Sequence, residues 1–495
     1  MQAAYQELQE RVAEISDLAR TLSLLSWDQQ VKMPAGGSGV RAEQLATLER
    51  IAHEALTSDE IGRLLDQLSP YEESQPFDSD EASLIRLVRR DWEKARRVPA
   101  ELRSEMTRAA SLAMPVWVKA REDKDFSQFL PALKHNFDLR RRYVECFDDY
   151  DDPYDVLLDD FEPGMKSAEV RTVFDRLKEE QVPLVAEARE QGERPVRGVT
   201  FPREGQKAFE LKVIERFGYD PAEWRLDTAV HPFASSVAIS DIRLTTRYFD
   251  DNLDGLFGTM HECGHGLYEN GVDRALERTP LAHGASLGLH ESQSRMWENM
   301  VGRSLPFWRH FYPELQRTFP QALSSVTVED LYRSVNWVEP SLIRVEADEA
   351  TYNLHIILRF ELEQELLADT IDLAELPEVW NQRMKDYLGV EPPDDAVGVL
   401  QDMHWAVGAI GYFSTYALGN VISGQLWEQA NADVPGLPEQ FEQGEFGALS
   451  DWLREKLWRH GRKYTPRELV ERITGGGLDP EPYLRYLRGK YPLSP

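Results

Sequence analysis

Met260-His261-Glu262-Cys263-Gly264-His265 is the segment from which the rest of the chain can be read. Its His-Glu-x-x-His spacing has chemical meaning only on a helix, where residues four apart stand one turn apart on the same face and two imidazoles can grip one ion. Neutral imidazoles suit Zn²⁺, and the intervening Glu262 is placed to address a metal-bound water. Asn270-Gly271 offers a stop for this helix. With 11 His and 86 acidic residues in 495 positions, composition alone would produce the pattern only about 0.04 times. A helix with two core-satisfied histidines is the alternative reading of this segment taken by itself.

A catalytic zinc needs a third protein ligand and an open fourth position. His290-Glu291-Ser292-Gln293 supplies Glu291, on a second helical segment that runs towards Trp297 and Met300. A His₂Glu set leaves the ion more Lewis-acidic than thiolates would, which suits water activation. Cys263 lies inside the motif but points away from the shared ligand face, and is read as packing.

Upstream, Val237, Ile239, Ile242, Leu244, Thr245 and Thr246 bring β-branched and apolar residues together, predicting extended strands between His231 and Tyr248. Alternation puts Asp241, Arg243 and Thr245 on one side of such a strand. Downstream, Arg344 and Asp348 are four residues apart and would share a helix face, as an ion pair or as part of a site. Gly398-Val399-Leu400-Gln401-Asp402-Met403-His404-Trp405 and Gly411-Tyr412-Phe413-Ser414-Thr415-Tyr416 set proton donors among glycines and aromatics. Tyr412 and His404 are candidate oxyanion stabilisers, with core packing as the competing use.

The remainder reads as helical. Tyr5, Leu8, Val12, Ile15, Leu18, Leu22 and Leu25 follow helical spacing, turn residues fill 33–39, and the pattern resumes at Leu45, Leu48 and Ile51, predicting a helical hairpin. Helix formers dominate to about Arg194, punctuated by Pro70, Pro76, Pro99 and Pro115, and the acidic run 148–152 reads as a solvated turn or helix start. After Asp250 helix is expected to the end, with loops at Pro392-Pro393, Pro435-Gly436 and Gly475-Gly476-Gly477. The 56 basic residues against 86 acidic ones give a net charge of −30, which disfavours a nucleic-acid partner. No secretory signal or membrane-spanning stretch is recognised, and Cys146 and Cys263 form no metal-binding pair. A soluble, cytoplasmic protein with no membrane partner is expected.

Taken together these segments resemble the M32 family of metallocarboxypeptidases, the carboxypeptidase Taq type, over essentially the whole chain. The resemblance is carried by His231-Pro232-Phe233, Asp241-Ile242-Arg243-Leu244-Thr245, the motif at His261 to His265, His290-Glu291-Ser292-Gln293, Ile343-Arg344-Val345-Glu346-Ala347-Asp348 and the segment from Gly398 to Trp405, in the family's order. Ala234 stands where Thr is usual and Ser414 where Pro is common. The resemblance implies a mainly α, saddle-shaped metallopeptidase with a deep central groove and a small β-sheet beside the zinc site, residues 1–495 forming one catalytic domain. It further implies a homodimer that removes C-terminal residues from peptides with broad specificity, using one zinc ion per chain for which cobalt can substitute.

On this reading His261, His265 and Glu291 hold zinc, and Glu262 assists attack of the zinc-bound water on the scissile carbonyl. Tyr412 or His404 would support the oxyanion. The free C-terminal carboxylate of the substrate calls for an arginine, Arg344 first and Arg243 second, with Asp241, His231 and Gln401 as further substrate-binding candidates. Two rivals stand beside it. An internally cutting oligopeptidase would commonly carry a third His where this chain has Tyr268, and a catalytically dead peptide-binding protein would be expected to lack Glu262.

Overall fold

The first helix, Gln2–Val31, buries Ala4, Tyr5, Leu8 and Val12 on one stripe, while Ile15, Leu18, Leu22 and Leu25 of the predicted stripe are only half-buried. Its partner Ser38–Leu56 follows a short 3₁₀ turn at Ala35–Gly37, giving the expected hairpin. The computed structural model describes residues 1–188 and 192–491. Helices Asp59–Ser74 and Asp80–Arg97 complete a small N-terminal core of Ile61, Leu64, Leu65, Leu84, Ile85 and Val88, which also takes in Ile239, Val272 and Leu281 from the segments around the sheet. Most other buried apolar residues among those described belong to one large, mainly helical core.

Two of the four prolines expected to interrupt helices do not. Pro70 lies inside Asp59–Ser74 and Pro115 inside Ala100–Asp123. Both are exposed, so the carbonyl that each leaves without an N–H partner can turn to solvent. The acidic run 148–152 is a helix start: Asp152 caps Pro153–Leu158 by accepting the N–H of Tyr154 at 2.8 Å.

The sheet has three strands, β1 (Trp224–Thr228), β2 (Ala234–Ala238) and β3 (Asp241–Thr246), in the order β1-β3-β2. β3 runs parallel to β1, with Trp224 opposite Ile242, and antiparallel to β2, with Ser235 opposite Arg243. Ile242 and Leu244 are buried while Asp241 and Arg243 lie on the other face, as alternation requires. Helix Asp254–Gly271 crosses this sheet, followed by Leu287–Arg295, which continues as a π-helical turn over Met296–Val301. Gly271 is the last residue of its helix and not a left-handed cap: a Cβ there would lie 2.5 Å from the Trp458 ring.

Two expectations fail in the C-terminal half. Arg344 and Asp348 do not share a helix. Arg344–Glu346 is a 3₁₀ turn, and Asp348 spends its carboxylate capping Glu349–Leu367, accepting the N–H groups of Ala350 at 2.9 Å and Thr351 at 3.0 Å. Residues 389–413 are irregular throughout, not helical around a short loop. This stretch is tied down by side chains from elsewhere: Trp117 Nε1 donates to the Leu400 carbonyl (3.0 Å), and Asn136 Nδ2 to those of Trp405 (2.8 Å) and Ala406 (3.0 Å). It ends at Ser414–Asp433, a helix packed along Leu287–Arg295.

Candidate metal centre

His261 and His265 stand one turn apart on Asp254–Gly271, ring centroids 5.0 Å apart with planes at 82°. Their Nε2 atoms lie 3.5 and 3.6 Å from a single oxygen, Oε2 of Glu291 on the neighbouring helix. The three ligand atoms fall within 4.8 Å of one another, the spacing from which one cation can be coordinated. Each remaining polar atom is already engaged. Glu291 Oε1 accepts from Arg295 Nε (2.7 Å) and Oε2 from Ser294 Oγ (3.0 Å). Nδ1 of His261 lies 2.9 Å from Glu298 Oε2, and Nδ1 of His265 lies 2.8 Å from Nδ1 of His290. Outward nitrogens held by partners and inward nitrogens converging on a carboxylate fit a two-nitrogen, one-oxygen site for a divalent metal such as zinc.

Two glycines allow the ligand-bearing helices to approach. A Cβ on Gly264 would sit 2.6 Å from the Gln293 carbonyl oxygen, and one on Gly419 would sit 2.6 Å from Cβ and Cγ of Glu291. The site is thus built from three helices in near-backbone contact.

Glu262 opens on the same cavity, a space of about 520 Å³ walled by Pro232, Phe233, Ser235, Leu287, Tyr412 and Tyr416. Burial pushes its carboxyl up to about 7, helped by Glu291 and Glu298 and opposed by His261 and His290. Glu298, half-buried beside it, is held well below the usual carboxylate range by Arg295, His261 and Arg303. It therefore presents a charged acceptor to His261.

The remaining sequence candidates divide by position. Tyr412 is on the cavity wall, its ring 5.1 Å from Phe161 and 5.2 Å from His404. His404 stands behind that wall with Nε2 3.5 Å from the Tyr416 hydroxyl, and burial lowers it to about 4. Arg344 is buried, donating to Asp402 from Nη2 (2.8 Å) and Nε (3.2 Å) and to the Tyr352 hydroxyl from Nη1 (3.0 Å). Its ion-pair partner is therefore Asp402 and not Asp348, and Asp402 also holds Arg359 at 2.6 Å. Gln401 is a brace for the irregular stretch: Oε1 accepts from Arg344 N (2.9 Å), and Nε2 donates to Leu342 O (3.0 Å) and Val397 O (3.1 Å). Arg243 is forked onto Asp241 (2.8 and 2.9 Å) over the Trp27 ring, away from the cavity wall. His231 is exposed, while its neighbours Pro232 and Phe233 reach the cavity. Tyr268 is a packing residue whose hydroxyl accepts the Ala285 N–H at 3.1 Å.

Residues that sequence reasoning left without a role are Glu298, His290, Glu269, Arg295 and Tyr416. Spacing could have pointed to some of them. Glu269 continues the four-residue stripe of His261 and His265, Glu298 lies two turns beyond Glu291, and Tyr416 one turn beyond Tyr412.

The family model for carboxypeptidase Taq (M32) metallopeptidases matches residues 7–491. Thermostable carboxypeptidase 1 of Thermus thermophilus is 42% identical, covering 99% of this chain and 98% of that protein. Carboxypeptidase 1 of Bacillus subtilis is 38% identical over 96% of each. The crystal structure of M32 carboxypeptidase from Deinococcus radiodurans superposes with a TM-score of 0.96 at 41% identity, covering 99% of both chains.

Proposed function

From the premise that this chain belongs to the carboxypeptidase Taq (M32) family and is a metallocarboxypeptidase, we propose that it uses one zinc ion, held by His261, His265 and Glu291, to remove C-terminal residues from peptides with broad specificity. The observation that carries this reading is the convergence of two Nε2 atoms on one Glu291 oxygen beside a buried Glu262, all facing one cavity. Zinc held there would supply Lewis acidity, making water a stronger acid and a carbonyl a better electrophile, and cobalt would serve in its place. Glu262 takes a proton from the water that attacks the scissile carbonyl and returns it to the leaving amine. Tyr412, with Tyr416 beside it on the wall, donates to the oxygen on which negative charge develops. His404 acts from behind, through Tyr416.

For the substrate carboxylate the charge resides with Arg344, Arg359 and Asp402, two cations on one anion buried behind Tyr416. Arg344 contacts the substrate directly if it exchanges Asp402 for the incoming carboxylate, a swap of one bidentate acceptor for another. Arg243, with Asp241 and His231, is assigned to the far edge of the binding region. Gln401 holds Arg344 in place.

Residues 1–495 are read as one catalytic domain, because Ser23 of the first helix lines the same cavity as the metal ligands. The homodimer is carried from the family resemblance. Cytoplasmic residence is consistent with two cysteines that remain unpaired. No helix among the described residues is long and apolar enough to cross a membrane.

The reading is tested by metal analysis of the purified chain with activity after chelation and re-addition. One zinc per chain, activity restored by zinc or cobalt, and a Glu262→Gln variant that keeps its metal but loses turnover are expected. Full turnover by Glu262→Gln would remove the assigned base.

A further inference from the structure

The two ligand histidines are oriented differently. His261 has a carboxylate against its outer nitrogen, whereas His265 faces a second imidazole, Nδ1 to Nδ1 of His290 at 2.8 Å. The other nitrogen of His290, Nε2, lies 2.8 Å from Glu269 Oε1. The positions of the hydrogens follow from what each group can do. An ionised carboxylate only accepts, so Nε2 of His290 carries a hydrogen. In a neutral imidazole Nδ1 of His290 is then a lone pair, and the hydrogen between the two rings belongs to His265. His265 protonated at Nδ1 keeps its lone pair on Nε2, the atom that faces Glu291.

Glu269 is fixed in turn. Oε1 accepts the Gly284 N–H at 2.9 Å, while Oε2 has His283 Nδ1 at 3.3 Å and Arg20 Nη1 at 3.7 Å. Arg20 belongs to the first helix and also donates to the carbonyls of Ser236 (2.9 Å) and Ala282 (2.5 Å). The Tyr268 ring packs against His290 with centroids 5.1 Å apart.

Resting on the assignment of His261, His265 and Glu291 as zinc ligands, we propose that His290 and Glu269 are positioning residues: Glu269 fixes the hydrogen of His290, and His290 accepts the hydrogen of His265, holding the tautomer that presents Nε2 to the metal. The site then has an asymmetric support, direct on His261 and relayed on His265, with the relay anchored to the N-terminal helix. Outer partners of this kind typically change metal affinity 10–100-fold.

The test is zinc affinity by competition with a chromogenic chelator, with the visible absorption of the cobalt-loaded protein as a second readout. Both are measured on the full chain as wild type and as His290→Phe, His290→Gln, Glu269→Leu and Glu269→Gln. His290→Phe and Glu269→Leu should weaken zinc about 10–100-fold and shift the cobalt bands. The Gln variants should recover to within a few-fold, because an amide oxygen accepts where the native group did. A merely structural role would not distinguish an accepting side chain from an apolar one of similar size. Should the apolar variants fail to fold, ¹⁵N resonances of histidine-labelled wild type decide: a hydrogen on His265 Nδ1 supports the relay and a bare Nδ1 overturns it. Wild-type zinc affinity in His290→Phe with unchanged cobalt bands also overturns it, with the ligand assignment intact. A wild type that holds no zinc would instead defeat the ligand assignment, and the relay with it.

Discussion

Gly264, between Glu262 and His265, provides a quantitative test of how the site is assembled. A Cβ at this position meets three backbone atoms of the neighbouring helix, the Gln293 oxygen at 2.6 Å, the Ser294 Cα at 2.7 Å and the Gln293 carbonyl carbon at 2.9 Å. None of these can move by changing rotamer. Restoring ordinary contact at 3.4 Å requires the helices to part by about 0.8 Å. Glu291 leaves with its helix, although the same residue already rests on Gly419. Overpacking on this scale costs about 1–3 kcal/mol, and a ligand shift of that size is several times the ~0.2 Å tolerance of a metal–ligand distance. Gly264→Ala should therefore lower the melting temperature of the metal-free protein and weaken zinc by about tenfold or more. Gly258 is the control: it lies in the interior of the same helix with nothing within 4 Å of its Cβ position. Gly258→Ala should stabilise by about 0.5–1 kcal/mol and leave zinc affinity unchanged. The assay is thermal unfolding with and without zinc, together with chelator competition. A Gly264→Ala protein with wild-type stability and wild-type zinc affinity would refute the argument that backbone contact at this glycine sets the ligand spacing.

Other perturbations have equally definite outcomes. Burial pushes Glu210 up to about 8 from an ordinary 4.5, so the folded chain keeps a proton that the unfolded chain has released. That contribution to stability is complete below about pH 4.5 and is lost as pH rises to about 8, up to roughly 4 kcal/mol. Glu210→Gln should gain stability relative to wild type at pH 8 compared with pH 5, and parallel melting curves at the two pH values would contradict this. Tyr412→Phe should lower kcat by about 10²-fold with KM little changed if its hydroxyl meets the developing oxyanion; a change in KM alone would place it in ground-state binding. Arg344→Ala should slow hydrolysis of the free peptide and erase the preference for a free over an amidated C-terminus, and a wild-type rate on the free peptide with the preference retained would remove Arg344 from carboxylate recognition.

The parts of the site legible in the sequence were those encoded by local periodicity. His261 and His265 stood out as candidates because a helix converts a four-residue spacing into a shared face, and β3 because alternation sorts Ile242 and Leu244 from Asp241 and Arg243, whereas Glu291 lies on a separate helix whose approach no local spacing encodes. What remained hidden depends on partners distant in sequence. Arg344 is paired with Asp402, 58 residues away, because the nearer Asp348 is occupied capping a helix. The irregular stretch 389–413 has glycines and polar residues that a loop reading could have used, but its stability comes from Trp117 and Asn136, more than 260 residues upstream. Ser414, a departure from the family pattern, proves compatible with its position: it is buried and donates to the Gly411 carbonyl at 3.2 Å as the last long helix of the site begins. Ala234, the other departure, opens β2 and lines the cavity, which places its effect on substrate fit.

The most direct test of the account is mass-spectrometric product analysis of one peptide, with its C-terminus free or amidated, incubated with the zinc-loaded wild type and with Glu262→Gln. Stepwise loss of residues from the free C-terminus alone, abolished in Glu262→Gln although its zinc is retained, is the predicted result. Internal fragments from both peptides, or undiminished trimming by Glu262→Gln, would contradict it.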